Sequence, residues 1–520
     1  MEDCLANMKN NGVMILDFGS QYTKLIARRV REQNIYSEIL PHNISIEKIN
    51  EISPAAIILS GGPSSVFDDT ALEVNPQILR LPIPILGICY GLQLLAHEYG
   101  GLVETKENGE YGLSNLSIDS TQKIFSNIPT SINVWMSHMD QVTKVPEEWK
   151  ILARSSNDVI AAISNEDNTR IATQFHPEVA HTEFGTEILQ NFLLKIANCS
   201  TDWTPVNFIS SQIEKIKNKV GKEKLIIGVS GGVDSTVAAA LIHKAIGDQS
   251  VGILIDHGLM RMDESEKCVR SLKEGLGINI HSFDESNLFF SKLENIIDPE
   301  QKRKIIGNQF IESFERISKD FGEIKYLAQG TLYPDVIESG VGGGHSSHTI
   351  KSHHNVGGLP EKMNFSLIEP LRELFKDEVR NVGIELGLPK ELVFRHPFPG
   401  PGLGVRIIGK INKERVKILQ QADQIFIDAL YEDDLYDKIW QAFAVLVPVK
   451  TVGVMGDQRT YENLISLRAV TSSDGMTADW FKFPHESLAK ISNRIVNSVQ
   501  GVNRVVYDIT SKPPGTIEWE

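Results

Sequence analysis

The chain is 520 residues long, 41% hydrophobic and 23% charged, the balance of a globular protein with material for three or four cores. Its 52 Lys and Arg against 67 Asp and Glu leave a net charge of −15, a poor composition for gripping nucleic acid or an anionic membrane. Cys4, Cys89, Cys199 and Cys268 form no CxxC pair, no apolar run nears the ~18–20 residues of a membrane span, and the first twelve residues are polar, so a cytoplasmic protein without disulfides, nucleic-acid partner or membrane contact is expected.

After a leader, residues 1–12, a strand is predicted over 13–16 and a helix through Leu25, Ile26 and Val30. Residues 55–59 and 83–88 are further unbroken apolar runs that end in Gly-rich turns. Such runs between helices predict a doubly wound, mostly parallel α/β sheet over 13–200. A linker over 198–207 leads to a second α/β pattern, with strands 225–229 and 251–255 around a helix 236–246, in a domain over 203–395. Residues 339–360 are rich in Gly and hold four His without periodicity, the composition of a lid or binding loop. The run His-Pro-Phe-Pro-Gly-Pro-Gly at 396–402 can continue neither helix nor sheet and marks a boundary. Beyond it, helices near 415–430 and 486–499 and β runs at 442–449, 464–470 and 502–509 predict a smaller α+β domain over 396–520.

Gly87-Ile88-Cys89-Tyr90-Gly91 lies between a strand and a helix starting at Leu92, the pattern of a nucleophile elbow. Small residues two positions either side allow the tight turn that exposes the nucleophile. The Tyr90 N–H then sits at a helix N-terminus, and the turn Gly61-Gly62-Pro63 offers the Gly62 N–H as a second oxyanion donor. A lone cysteine is more often a small buried apolar residue. Here a partner argues otherwise: the strand 171–175 delivers His176-Pro177-Glu178, and alternation along an extended segment turns His176 and Glu178 the same way. The result is a triad of nucleophile Cys89, acid/base His176 and orienting carboxylate Glu178. Together with Asp17-Phe18-Gly19-Ser20-Gln21, Ser60 and Gln93, these segments resemble the class I glutamine amidotransferases over nearly all of 13–200. The resemblance implies glutamine hydrolysis through a thioester on Cys89, with release of ammonia. Leu102, where a polar residue is expected, and the leader depart from the pattern without touching the triad.

Ser230-Gly231-Gly232-Val233-Asp234-Ser235 joins the strand 225–229 to the helix that begins at Thr236. Its backbone N–H groups, two hydroxyls and helix N-terminus suit a polyphosphate. Asp234 would repel phosphate unless Mg²⁺ lies between them, which makes it the metal ligand and Mg²⁺ the companion of ATP. Without Gly-Lys-Ser/Thr the loop is not built for γ-phosphate transfer. It resembles the PP-motif of the N-type ATP pyrophosphatases, which transfer AMP to an oxygen and release pyrophosphate. The resemblance places ATP on Ser230 to Thr236, with adenine at the strand ends near Val229 and Leu254. Asp335 and Glu338, after the strand 326–329, are placed for the nucleotide or its metal, or form a solvated cap. His345, His348, His353 and His354, without Cys, read as part of a lid with Lys351, His353 and His354 as donors rather than as a zinc site.

An amidotransferase joined to such a loop makes ammonia at Cys89 for use at an adenylated carbonyl oxygen. Ammonia in neutral water is mostly protonated, so an enclosed passage or docking between domains is expected. The domain order, the stretch 350–360, the segment 396–404 with Arg406, and the ending Ser-Lys-Pro-Pro-Gly-Thr-Ile-Glu-Trp-Glu resemble the glutamine-hydrolysing GMP synthases across 13–520. That resemblance implies glutamine, ATP and xanthosine monophosphate (XMP) as substrates, amination of XMP at C2, and a homodimer through the C-terminal domain. It also implies Arg303, Arg406, Arg504 and Lys512 on the phosphate side of XMP, Glu518 beside the base, and Ile517 among the XMP-binding residues. The last nine residues are then a clamp whose removal weakens XMP binding and leaves the fold intact. The competing reading, a sulfur- or lysine-transferring enzyme acting on tRNA, would want a basic surface or further catalytic cysteines. A regulatory module with a dead glutaminase would not keep the triad.

Overall fold

The computed structural model describes residues 11–68, 71–338, 365–455, 458–472 and 477–520. Among the described residues the chain forms two compact units, one of residues 11–208 with 336–338 and one of residues 209–335 with 365–520. Among the described residues no helix is long and apolar enough to cross a membrane.

The first unit is built on a nine-stranded sheet. In order of position, β2 (Ser37–Pro41), β1 (Val13–Asp17), β3 (Ala56–Leu59), β4 (Ile85–Ile88) and β9 (Arg170–Thr173) pair in parallel. β1, β3 and β4 are buried on both faces, which is why they are written as unbroken apolar runs. From β9 the sheet continues antiparallel through β8 (Ile160–Ser164), β7 (Lys150–Ser155), β5 (Leu102–Ile118) and β6 (Ser131–Lys144). The parallel pattern expected from sequence does not include this half. Along β6 buried and exposed side chains alternate, so one face meets the core and the other does not, as in an antiparallel strand with one wet side. Leu102 is exposed at the first position of β5.

The second unit holds an all-parallel five-stranded sheet in the order β12 (Ile280–Asp284), β11 (Ser250–Asp256), β10 (Leu225–Gly228), β13 (Tyr326–Ala328) and β14 (Ser366–Ile368). The chain runs outward from β10 on one side and then returns to its other flank. The strand order therefore reverses between β10 and β13, the place where open α/β sheets bind ligands. The helix after β10 spans Val233–Ile246 and starts three residues before the expected Thr236, because Gly232 caps it in extended conformation (φ −71°, ψ 158°). Val233, Asp234 and Ser235 are thus its first turn.

Toward the C-terminus, β15 (Gln441–Met455) and β16 (Gln458–Thr471) form a long antiparallel pair, extended by β17 (Asp479–Trp480) and by β18 (Val502–Tyr507), which runs parallel to β16. The helices Lys413–Glu432 and His485–Ser498 lie close to their expected places. Their buried residues Leu419, Phe426, Ile491 and Ile495 share one core with Leu446, Ile465 and Leu467 of the sheet. The same core continues through Leu403 and Ile407 into Ile226, Ile253 and Ile306 of the parallel domain. The stretch after His396 is a stiff connection inside one packed body.

Candidate active site

Cys89 stands at φ 53°, ψ −102°, immediately ahead of the helix Tyr90–Glu98. Such a backbone costs an L-residue ~1–3 kcal/mol and persists only where the surroundings impose it. Here the Cys89 N–H is tied to Thr173 O at 2.7 Å. The flanking glycines are required by space: a Cβ on Gly87 would lie 2.5 Å from Gly91 O, and one on Gly91 2.6 Å from Leu59 O. Cys89 Sγ is 3.7 Å from both Ser137 O and Gln174 Nε2, two neighbours with no sequence motif to announce them.

β9 ends at Thr173, so His176 and Glu178 lie in the turn after it and not on a strand. The alternation argument does not apply to them, yet the turn itself brings His176 Nδ1 to 2.7 Å from Glu178 Oε1. Its shape is held by Arg29 Nε donating to Glu178 O (3.0 Å), Thr182 Oγ1 to His176 O (2.7 Å) and His176 N to Trp135 O (3.1 Å). Burial works to lower the His176 pKa, but the Glu178 charge and hydrogen bonds with Cys89 and Glu178 outweigh it and raise it to about 10. With Nδ1 on Glu178, Nε2 is left for Cys89.

The turn after β3 and the elbow after β4 emerge side by side, because Leu59 and Gly87 are paired. A Cβ on Gly61 would lie 3.4 Å from His176 Cε1, and one on Gly62 3.4 Å from Tyr90 Cγ. The Gly62 and Tyr90 N–H groups therefore belong to one region, and as the first residue of its helix Tyr90 has no intrahelical acceptor.

In the second unit the loop 230–235 closes on its own serines. Ser230 N donates to Ser235 Oγ (3.2 Å), Gly232 N to Ser230 Oγ (3.3 Å), and the two hydroxyls are 3.1 Å apart. Gly231, at φ +75°, presents its carbonyl to Arg395, which also pairs with Glu264. Gly330 allows the loop after β13 to pack on this turn: a Cβ there would lie 3.0 Å from Asp234 C. Thr236 is buried, and Val229 and Leu254 are wholly buried at neighbouring strand ends, so they can meet a base only through main chain.

Asp234 is partly exposed, but its Oδ1 is buried with no hydrogen-bond partner among the described residues, and Oδ2 is 3.7 Å from Lys376 Nζ. Burial raises its pKa, Lys376 opposes the rise, and the charge of Asp335 adds to it. Asp335 also accepts from Leu332 N at 2.9 Å, so it serves as a cap as well as a neighbour of Asp234. Mg²⁺ is ordinarily held by one or two carboxylates plus substrate phosphates and water. Asp234, with an unused oxygen, and Asp335 fit that donor set. Among the described residues no group of three or more His, Cys, Asp or Glu forms a self-sufficient metal site. Glu338 ends the helix Tyr333–Glu338, and its side chain, with Lys351, His353 and His354, lies outside the described residues.

The residues expected around XMP converge on the last stretch of the chain, with one exception. Arg406 is fully buried and grips Glu518 with two hydrogen bonds, Nε–Oε2 3.0 Å and Nη2–Oε1 2.8 Å, beneath the Phe443 ring. Residues expected on opposite sides of the nucleotide are thus bonded to each other. Gln441 Nε2 adds a bond to Glu518 Oε1 at 2.9 Å. Ile517 packs on Phe443 and Val445. Lys512 is joined to Ala478 by two main-chain hydrogen bonds of 2.7 and 3.0 Å, and Arg303 donates to the Glu520 carbonyl. Arg504 is the exception: it is exposed on β18, with Nη2 3.5 Å from Val452 O. Lys302, Lys376, Arg395 and Arg468 were not legible as site residues, since a single Lys or Arg carries no motif.

Comparison with known proteins follows the same three-part order. Residues 14–196 match the family model for glutamine amidotransferase class-I, residues 205–310 that for NAD synthase, and residues 428–519 that for the GMP synthase C terminal domain. A GMP synthase (glutamine-hydrolyzing) of Thermosipho melanesiensis is 56% identical over 512 residues, 98% of this chain and 99% of that one. Counterparts carrying the same name in Carboxydothermus hydrogenoformans and Campylobacter jejuni are 55% identical over 508 residues and 54% identical over 513 residues, covering 98% and 99% of this chain and 99% and 100% of theirs. Similarity of this depth over both whole chains, on a structure that holds the elbow, the phosphate loop and the C-terminal sheet in that order, means that the chain belongs to the glutamine-hydrolyzing GMP synthase family.

Proposed function

We propose the following division of labour in an enzyme that forms GMP at the expense of glutamine and ATP. Cys89 Sγ adds to the glutamine amide carbon, and the Gly62 and Tyr90 N–H groups receive the developing oxyanion. His176 gives its proton to the leaving nitrogen as the C–N bond breaks, releasing ammonia and leaving a thioester. Water, deprotonated by His176, then displaces sulfur and frees glutamate. The observation that carries this is the strained Cys89 beside a buried His176–Glu178 pair at 2.7 Å.

ATP lies with its phosphates on residues 230–236 and its base against the ends of β10 and β11. The XMP oxygen on C2 attacks the α-phosphorus and pyrophosphate departs. Ammonia then adds at C2, and the oxygen leaves as part of AMP. Asp234 and Asp335 would hold Mg²⁺, whose charge offsets that of the phosphates. Lys351, His353 and His354 serve as donors to ATP, and Lys512, Ile517, Glu518 and Arg303 hold XMP. Domains over 13–200, 203–395 and 396–520 carry these tasks, in a cytoplasmic homodimer. Support for self-association comes from the exposed Val449, Val452, Val454 and Tyr461 on β15 and β16, apolar side chains that a second copy would cover.

The test is a nucleotide-dependence assay of glutamine-dependent AMP and pyrophosphate release. XMP is expected to support it in step with GMP formation, and other oxo-nucleotides are not. ADP and phosphate as stoichiometric products would overturn the assignment of the loop.

A further inference from the structure

Three cations are wholly buried among the described residues, Lys302, Arg406 and Arg468, and each reaches the same segment, residues 508–520. Arg468, on β16, donates through Nη1 to Thr510 O at 2.5 Å and through Nη2 to Thr516 O at 3.2 Å, with Asp508 Oδ2 3.4 Å from Nη1. Asp508 Oδ2 also accepts from Trp519 Nε1 at 2.9 Å, which draws the end of the segment back over its start. Lys302, in the helix Pro299–Ser318, donates to Ile407 O at 2.8 Å and pairs with the Glu520 carboxylate. That carboxylate also accepts from Gly409 N at 3.2 Å. The segment is fastened at 508–510, at 516 and at 520, and the proposed nucleotide contacts Lys512, Ile517 and Glu518 stand between these points.

A cation buried without good partners is strongly destabilising, and even a paired one is seldom more stable than an apolar side chain of the same size. Three of them committed to thirteen residues are therefore poorly explained by stability alone. They are well explained if the path of that segment must be exact enough to present side chains to a ligand. We infer that Arg468 and Lys302 are positioning residues for nucleotide recognition: neither contacts XMP, and together they set the backbone that presents Lys512, Ile517 and Glu518. The inference rests on the reading of this segment as the XMP site.

The test compares full-length Arg468→Lys, Lys302→Met and Lys512→Ala with the native protein, by XMP titration, XMP and ATP KM, and hydrogen exchange of residues 508–520. Arg468→Lys keeps the charge but lacks the planar fork that spans two carbonyls, and it guards against failure of Lys302→Met to fold. The expected result is a tenfold or greater rise in XMP Kd and KM for all three variants, with ATP KM within about twofold. Faster exchange in 508–520 is expected only for the Arg468 and Lys302 variants. A generally destabilised protein would move both KM values together, and that outcome overturns the positioning role. If Lys512→Ala weakens XMP while folded Arg468→Lys binds it as tightly as the native chain, the inference fails and the site reading stands. If Lys512→Ala leaves XMP affinity unchanged, the site reading fails and takes the inference with it.

Discussion

Glu178→Gln keeps the volume of the side chain and an oxygen that can remain near His176 Nδ1, now 2.7 Å from Glu178 Oε1, but removes the charge. In the native chain that charge, with the hydrogen bonds His176 makes to Cys89 and Glu178, overrides burial and holds the His176 pKa at about 10. With the charge gone, the largest influence opposing burial is removed, and the pKa falls from about 10 toward the ordinary histidine value of about 6.5. At neutral pH the protonated share of the imidazole then falls, and fewer molecules hold an acid ready for the leaving nitrogen. Positioned acid–base catalysis contributes ~10²–10⁴-fold, and loss of the orienting carboxylate in a comparable triad costs ~10⁴. The glutaminase kcat is accordingly expected to fall about 10²–10⁴-fold at neutral pH, with the smallest deficit at the acid end of the profile. The assay is glutamate release from about pH 5 to about pH 10, run beside GMP synthesis from ammonium salts, which should not change. The raised pKa also has a sign for stability: its contribution is complete below about 6.5 and is lost as pH rises through about 10, a dependence the variant should lack. A native kcat and an unshifted pH profile in Glu178→Gln would refute the claim that this carboxylate keeps the proton on His176.

Removal of residues 512–520 leaves Lys302 without Glu520 and Arg406 without Glu518, both in fully buried positions. One stranded cation costs ~3–5 kcal/mol, which for a unit of about 300 residues is a drop of roughly 5–8 °C in melting temperature. Calorimetry is therefore expected to show a truncate that folds but melts lower, and unchanged melting would contradict the burial argument. Gly91→Ala forces a Cβ to 2.6 Å from Leu59 O and 2.8 Å from Leu59 Cβ, within a strand that cannot retreat. Glutamine-dependent synthesis should be abolished and ammonium-dependent synthesis retained. Retention of both activities would mean that the elbow tolerates a displacement the packing denies it.

What could be read in advance was local. The elbow and the phosphate loop are each a few consecutive residues between a buried strand and a helix, and glycine at 87, 91 and 231 is demanded by close packing or a positive φ in turns that can be inferred without knowing the rest of the fold. Strand alternation points to the His176–Glu178 pair, although a turn performs the convergence. The antiparallel half of the first sheet falls outside the parallel pattern, although Ile132, Val134 and Met136 carry its period of two. The tail anchors were out of reach for a different reason. Lys302 and Glu520 are 218 positions apart, Arg406 and Glu518 112, and a Lys or Arg in an amphipathic stretch reads as a solvated charge. The continuous core beneath the parallel domain and the C-terminal sheet is likewise a long-range fact, hidden behind a Pro-Gly run that marks a stiff turn equally well whether or not its flanks pack together.

The central claim is that glutamine is cleaved at Cys89 and that amination takes place elsewhere in the chain. Cys89→Ala tests it most directly, with GMP formation from XMP and ATP measured once with glutamine and once with an ammonium salt as nitrogen donor. Glutamine-dependent synthesis is expected to vanish, since hydrolysis passes through a thioester on Cys89 that alanine cannot form. Synthesis from ammonium should persist at close to the native rate. Equal loss with both donors, or retained use of glutamine, would contradict it.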